Sequence, residues 1–498
     1  MLWLALDQST SATKALLFDA DGRTLDRESL EHRQHYPQPG WVEHDAEEIW
    51  RNTLAVLITL LARHASRQPE IGSLSLTNQR ETIVVFDRAS GRPLHPAMVW
   101  QDRRGDEICA EHVAAGHAAL VQRKTGLKID GYFSASKLQW LGRHRPELRA
   151  RLADGSALIG TIDAYLIYRL TEGKVFATDA TNASRTLLYD ITGRAWDEEL
   201  CALWEVPRRA LPEVRDCTAR FGETTIDGAL ARPIPLCGVM GDSQASLLAQ
   251  RCVSPGSAKI TFGTGSSLLL NVGPQPRFSA SGVLTALAWV HGGVPTYARE
   301  GIIISSASTL TWLRDQLGLA ADVPALEQLA LAAPDNGGVY LVPAFTGLGL
   351  PHWRPEARAA ITGLSPHSDR RHVARAAFES IAFQIRDALD AMRAEAGVSL
   401  VAIHADGGPT ASRFLMQCCA DLAGVELRVA TLSDGSPLGA MLAGQIGLGR
   451  VPSVAALAEG PRDETIYRPT MPRERANALH AGWHRAVQSV ITGSTLSA

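Results

Sequence analysis

Two stretches of the chain place hydroxyls, glycines and charges where a strand turns back on itself. In LALDQSTSATKALLF, Leu4 to Phe18, an apolar run stops at Asp7, passes through Ser, Thr and Ala, and resumes beyond Lys14. In KITFGTGSSLLLN, Lys259 to Asn271, the same plan recurs about half the chain later: apolar run, small Gly and hydroxyl turn, apolar run. Each reads as a β-hairpin, and a turn of successive backbone N–H groups makes a concavity that fits an anion. Either turn alone reads as structural; two of them, with HADGGPT at His404 to Thr410, point to nucleotide phosphates. The pattern G-x-x-x-x-G-K-[ST] is missing, and FGTGSS lacks the third glycine of a dinucleotide fingerprint. P-loop and Rossmann chemistry are therefore disfavoured.

Two aspartates stand where apolar runs end: Asp7, and Asp242 in CGVMGDSQASLL. Taken singly, each is a good helix or turn cap. Taken with the phosphate-holding turns, they suit phosphoryl transfer, which needs neutralised phosphates, an oriented hydroxyl and a base. Asp7 would sit at magnesium, and Asp242 beside it would take the proton of the attacking hydroxyl. An Asp at a helix N-terminus stays ionised at neutral pH, as that role requires. Arg80 and Glu81, in LTNQRETIVVF, read first as a surface salt bridge. Alternatively, an adjacent donor and acceptor at a strand end grip the vicinal hydroxyls of a polyol. Trp100 in MVWQDRRG would then give an apolar wall and Tyr132 in DGYFSASK a further hydroxyl contact.

These residues need a scaffold to bring them together. Short β-rich runs alternate with helical patterns, which predicts an α/β protein. In GWVEHDAEEIW, Asp45 and Glu48 have capping-box spacing, followed by Trp50, Leu54, Leu57 and Leu61 on one face. Farther on, Val373, Ala377, Ile381, Ile385, Leu389 and Met392 form a second helical stripe that stops at Gly397. The repeated strand-turn-strand plan predicts two domains of like architecture facing a shared cleft, divided near Pro255. A length of 498 residues fits that division.

Composition narrows the class. With 45% hydrophobic and 20% charged residues and a net charge of −3, the chain reads as an ordinary globular enzyme. It has no electrostatic footprint for nucleic acid or anionic membrane. Seven scattered cysteines without C-x-x-C argue against a disulfide framework and for a reducing, cytoplasmic setting. The apolar run before Asp7 is too short for a signal peptide, and none approaches a membrane span. The fifteen histidines show no H-E-x-x-H, so a zinc site is not expected. Self-association into a homo-oligomer is left open.

Collinear motifs then place the chain. PGWVEHD, TNQRET, VWQDRR, TDATNASRT, LPEVR, FGTG, WLRD and PAFTGLG occur in order. YFSASKLQW and the run from Ala359 to Glu379 resemble two family signatures. Over nearly its whole length the chain resembles the FGGY carbohydrate kinases. The resemblance implies two duplicated actin-like, ribonuclease-H-like domains, 1–253 and 254–498, around a central cleft for ATP and substrate. It also implies ATP- and magnesium-dependent transfer of the γ-phosphoryl group to a terminal hydroxyl of a small polyol. Glycerol comes first; a longer polyol or a ketose such as erythritol or xylulose is the alternative.

By the same resemblance, Thr10, Ser11 and Lys14 belong to the first phosphate hairpin, and Thr264 and Gly265 to the second. Arg80, Glu81 and Tyr132 are substrate contacts, Asp242 is the base, and Gly407 and Gly408 touch the nucleotide. Several positions depart from the family. Ser243 stands where members acting on glycerol carry a Gln that contacts it, and Ser267 where an aromatic lies beside its carbon chain. Ser9 replaces a Gly. Ala307, Thr311 and Ser412 occupy adenine-side positions where Gly, Gln and Asn are typical. These departures motivate a second reading, a catalytically weak polyol sensor, against which the retained Asp242 argues. An actin-like or chaperone ATPase is a third reading, in which Arg80 and Glu81 would have no purpose.

Overall fold

The computed structural model describes residues 1–279, 282–354, 356–431, 434–459 and 463–495. The opening stretch forms its hairpin: β1 (Leu2–Gln8) pairs antiparallel with β2 (Ala12–Phe18), Asp7 opposite Lys14. Every residue of β1 is buried, as expected of a near-continuous apolar strand covered on both faces. The hairpin continues into β3 (Thr24–Glu31) on one side. On the other, β1 runs parallel to β4 (Ile71–Asn78), and β4 parallel to β6 (Ile234–Gly241), with β5 (Arg220–Thr224) at the edge. The order is β5-β6-β4-β1-β2-β3.

The second half repeats this plan. Its hairpin joins β7 (Ser257–Phe262) to β8 (Ser266–Gly273), with β9 (Leu284–His291) and β10 (Val294–Ile303) continuing antiparallel beyond β8. Parallel to β7 run β11 (Ala402–Asp406) and then β12 (Leu427–Ala430), with β13 (Glu464–Tyr467) at the edge. Three antiparallel strands followed by two parallel ones therefore occur twice, β3-β2-β1-β4-β6 and β10-β8-β7-β11-β12. This is the duplicated architecture the repeated turns predict.

Helices cover the sheets. In α1 (Ala46–Arg63), Leu57 and Leu61 are buried and Trp50 and Leu54 half-buried. Asp45 caps it by accepting from the Glu47 N–H, but the reciprocal arm of the expected capping box is not made. Glu48 instead accepts from the Arg33 N–H at 3.4 Å. Other helices used below are α2 (Ser134–His144), α3 (Asp242–Ala249), α4 (Ala307–Asp315) and α5 (Val323–Leu331). They are followed by α6 (Arg370–Ala394), α7 (Arg413–Ala423), α8 (Gly435–Gly447) and α9 (Arg473–Thr495). The second predicted stripe is α6: Ala377, Ile381, Ile385, Leu389 and Met392 are buried and Val373 half-buried.

The division expected near residue 253 falls between α3 and β7, yet one helix crosses it. Helix α8, from the second half, lies on the sheet of the first. Leu438 and Met441 pack against Trp3, Leu16 and Phe18. Backbone contact requires glycine there: a Cβ at Gly439 would lie 1.8 Å from the Ala245 carbonyl oxygen, and one at Gly444 2.6 Å from that of Cys237. All seven cysteines are free and buried, Cys418 and Cys419 in the core. Among the described residues no helix is long and apolar enough to cross a membrane.

Candidate active site

The three parallel strands of the first sheet deliver the chemistry at their carboxyl ends. Asp7 lies near the end of β1, Arg80 and Glu81 just beyond β4, and Asp242 directly after β6 as the first residue of α3. Ligand crevices in open α/β sheets form at such strand ends. Here the second half closes over them, leaving a cavity of about 760 Å³. Arg80, Trp100, Tyr132 and Ser243 line it from the first half; Thr264, Gly265 and Ser267 line it from the second. Across the cleft the Lys128 ammonium lies 3.8 Å from the centre of the Trp353 ring, a contact between the halves.

Arg80 and Glu81 are not a surface salt bridge. They are 6% and 1% exposed, and neither pairs with the other. Arg80 meets Asp242 Oδ1 at 3.2 Å and Glu300 Oε1 at 3.0 Å. Glu81, at a φ of 62°, takes a hydrogen bond from Arg185 Nε at 2.6 Å. Arg185 also reaches Glu300 on β10, so a buried chain of alternating charge runs Glu81–Arg185–Glu300–Arg80–Asp242 across both halves. Burial opposes the Arg80 charge, but Glu300, Glu81 and Asp242 outweigh it. Burial likewise pushes Glu300 up, yet Arg185 and Arg80 bring it down to about 2. Arg80 thus faces the cavity as a fixed cation, while Glu81 is not among the cavity's lining residues.

Trp100 and Tyr132 stand side by side, ring centres 5.3 Å apart. The Trp100 indole N–H donates to Thr10 Oγ1 at 2.9 Å, linking the apolar wall to the first hairpin turn. Tyr132 precedes α2, whose Lys137 is buried and donates to the carbonyls of Gly131, Tyr132 and Phe133. Ser243 and Ser267 both border the cavity; the Ser267 hydroxyl oxygen is enclosed with no hydrogen-bond partner among the described residues.

Asp242 is the more accessible acid, its side chain 40% exposed. Its Oδ1 accepts from the Ser243 N–H at 2.6 Å and faces Arg80. The Asp242 carbonyl accepts from Ser436 on the loop-side end of α8. Asp7 is buried, and burial pushes its carboxyl up to about 7; Lys14 opposes this, while Asp242 and Asp434 add to it. Carboxylates close enough to raise one another in this way fit a hard divalent cation such as magnesium. Asp7 and Asp242 are the residues that would hold it.

The second hairpin meets the residues expected on the nucleotide side through the backbone. The β7–β8 turn is closed by the Gly263 N–H to the Gly265 carbonyl, and the N–H groups of Ser306 and Ser308 donate to Thr264 at the start of α4. Ala307 is half-buried there and Thr311 exposed one turn later. Gly407, at a φ of 100°, sits against β7: a Cβ would lie 2.0 Å from the Phe262 carbonyl oxygen. Gly408 follows it in a short 3-10 turn. In the first hairpin Ser11 is exposed and Lys14 half-buried. Ser412 differs: its hydroxyl caps α7 through the Leu415 N–H and donates to Glu327 of α5, so it serves the fold.

Sequence reasoning missed Arg185, Glu300 and Lys259. Arg185 lay within a quoted motif, TDATNASRT, but nothing local assigns it a partner 115 positions away. Lys259 opens the second hairpin and looked like a strand residue; it is buried with its charge disfavoured by burial and supported by Asp406 and Asp242. Asp406 in turn accepts from Ser246 and Gln250, tying α3 to β11.

The fold and this arrangement define a two-domain kinase built on the actin-like plan. Residues 2–249 match the FGGY family of carbohydrate kinases, N-terminal domain, and residues 258–448 its C-terminal domain. The chain belongs to that family. It is 45% identical to a glycerol kinase of Dechloromonas aromatica over 97% of this chain and 96% of that one. To a glycerol kinase of Rhodospirillum rubrum it is 44% identical over 98% of each. A crystal structure of Plasmodium falciparum glycerol kinase with ADP superposes with a TM-score of 0.94 at 32% identity, covering 98% of both chains. A xylulose kinase of Lactobacillus acidophilus, at 20% identity and a TM-score of 0.89 over both full chains, shares the fold.

Proposed function

We propose that this protein transfers the γ-phosphoryl group of ATP to a terminal hydroxyl of glycerol, giving glycerol 3-phosphate. The observation that carries this reading is the placement of Asp242 and Arg80, 3.2 Å apart, beside a cavity that also takes in Trp100 and Tyr132. Arg80 and Tyr132 bind and orient the polyol, and Trp100 keeps water from its carbon side. Asp242 takes the proton of the attacking hydroxyl; its Oδ1 is held by Arg80 and Ser243, which leaves Oδ2 for that task. Glu81 acts from behind, through Arg185. Thr10, Ser11, Lys14, Thr264, Gly265, Gly407 and Gly408 cradle the nucleotide. Magnesium, held by Asp7 and Asp242, would neutralise phosphate charge. Buried free cysteines suit a reducing compartment, and we assign the reaction to the cytoplasm.

Asp242→Asn should abolish turnover while ATP still binds; near-normal activity would remove Asp242 as the base. A second reading, a longer polyol or ketose, is favoured by short side chains at Ser243 and Ser267 bordering the cavity. Comparing kcat/KM for glycerol, erythritol, dihydroxyacetone and xylulose separates the two. A preference above roughly tenfold for a four- or five-carbon substrate would replace glycerol.

A further inference from the structure

We propose a transition-metal site outside the cleft lining, in which Asp387 on α6 and His480 and His484 on α9 hold one divalent ion of the zinc class. The two histidines stand four positions apart, which puts both imidazoles on one helix face. Their ring centres are 4.2 Å apart. Both Nε2 atoms converge on one oxygen of Asp387, His480 at 2.6 Å and His484 at 2.9 Å, and one ligand atom from each residue lies within 4.8 Å of the others. This pair has the i, i+4 ligand spacing that a search for H-E-x-x-H passes over.

The surroundings favour a metal over a plain hydrogen-bonded cluster. The other Asp387 oxygen is fixed by the Trp483 indole N–H at 2.6 Å, so Oδ1 is presented as a one-atom ligand oriented from outside. Phe383 stacks on Trp483 at 5.4 Å and gives the site an apolar wall. His352 has a buried Nε2 with no hydrogen-bond partner among the described residues, and its imidazole interacts electrostatically with Asp387 and His484. It stands outside the cluster of converging ligand atoms, so the fourth position would fall to water. Tetrahedral zinc with bonds of about 2.0 to 2.1 Å spaces its ligand atoms roughly 3.3 Å apart. The Asp387 oxygen and the two histidine nitrogens, at 2.6 and 2.9 Å, therefore need to open by about 0.7 and 0.4 Å. His484, with a side chain 54% exposed, leaves a way in from solvent; Asp387 and His480 are held rigid at 4% and 11%. An ion there would staple α9 to α6.

The test uses the full chain, stripped with a chelator and desalted, with zinc or cobalt as the probe and no nucleotide. The wild type should retain one equivalent of zinc, gain thermal stability with it, and show the visible absorption of tetrahedral cobalt. His484→Gln, at a half-exposed position, should weaken binding at least roughly tenfold and lose the cobalt band while leaving magnesium-dependent phosphorylation unchanged. His480→Gln should do the same; if it folds poorly, His484→Gln decides alone. A wild type that holds no zinc against a weak chelator overturns the proposal, as does zinc binding that survives His484→Gln unaltered.

Discussion

Replacing Glu300 with glutamine probes whether the buried charge chain sets the geometry of the proposed polyol site. Glu300 is 1% exposed and serves two guanidiniums, Arg80 at 3.0 Å and Arg185. Burial raises its carboxyl; the arginines more than reverse this and carry it from 4.5 to about 2. That fall corresponds to about 3 kcal/mol in favour of the charged, folded form. It agrees with the roughly 3–5 kcal/mol lost when one member of a buried ion pair is removed. Because the folded value lies below the unfolded one, the contribution is complete above 4.5 and disappears as the pH falls toward 2. Glu300→Gln should therefore lose about 3 kcal/mol of unfolding free energy at neutral pH, read from the urea midpoint and slope, and the gap should narrow under acid. Arg80, freed of Glu300, should lean onto Asp242, raising KM for glycerol and lowering kcat. A variant within about 0.5 kcal/mol of the wild type with unchanged kinetics would refute the reasoning.

Gly407→Ala should raise KM for ATP at least several-fold, because the left-handed backbone and the Phe262 carbonyl at 2.0 Å leave no room for a Cβ. An unchanged KM would separate Gly407 from the nucleotide. Burial lowers Lys137 from 10.5 to about 8, so the fold binds fewer protons than the unfolded chain between those values and grows more stable as pH rises through them. Lys137→Met should abolish that rise, about 3 kcal/mol; a melting-temperature profile parallel to the wild type from pH 8 to 10.5 would contradict it. Ser267→Phe should fill the cavity beside the polyol, cutting kcat/KM for erythritol or xylulose at least roughly tenfold relative to glycerol. Equal losses on all substrates would place Ser267 away from the carbon chain.

Much of this architecture could be read from residue order. Two hairpins with hydroxyl turns, Asp7 and Asp242 at strand ends, and the stripe from Val373 to Met392 are local patterns, and local backbone preferences preserve them. What escaped was long-range. Arg185 and Glu300 each look ordinary in their own strand or turn, and their function is created by a meeting across 115 positions. Arg80 next to Glu81 suggested a pair, but a φ of 62° at Glu81 turns the two side chains to different partners. Ser412 stands at an adenine-side position where the family carries Asn, and a capping hydrogen bond claims its hydroxyl. The i, i+4 histidines near the C-terminus acquire meaning only when α6 brings Asp387 to them.

Helix α8 bears on how the chain comes to be folded at all. The strand face that holds Trp3, Leu16 and Phe18 is covered by residues synthesised more than 400 positions later. An amino-terminal half emerging from the ribosome therefore waits with that face bare. At roughly 5–20 residues per second, the 194 positions from 253 to 447 take about 10 to 40 s. During that interval the nascent sheet is a natural client for a chaperone, and expressing residues 1–253 alone should yield aggregates unless α8 is supplied in trans.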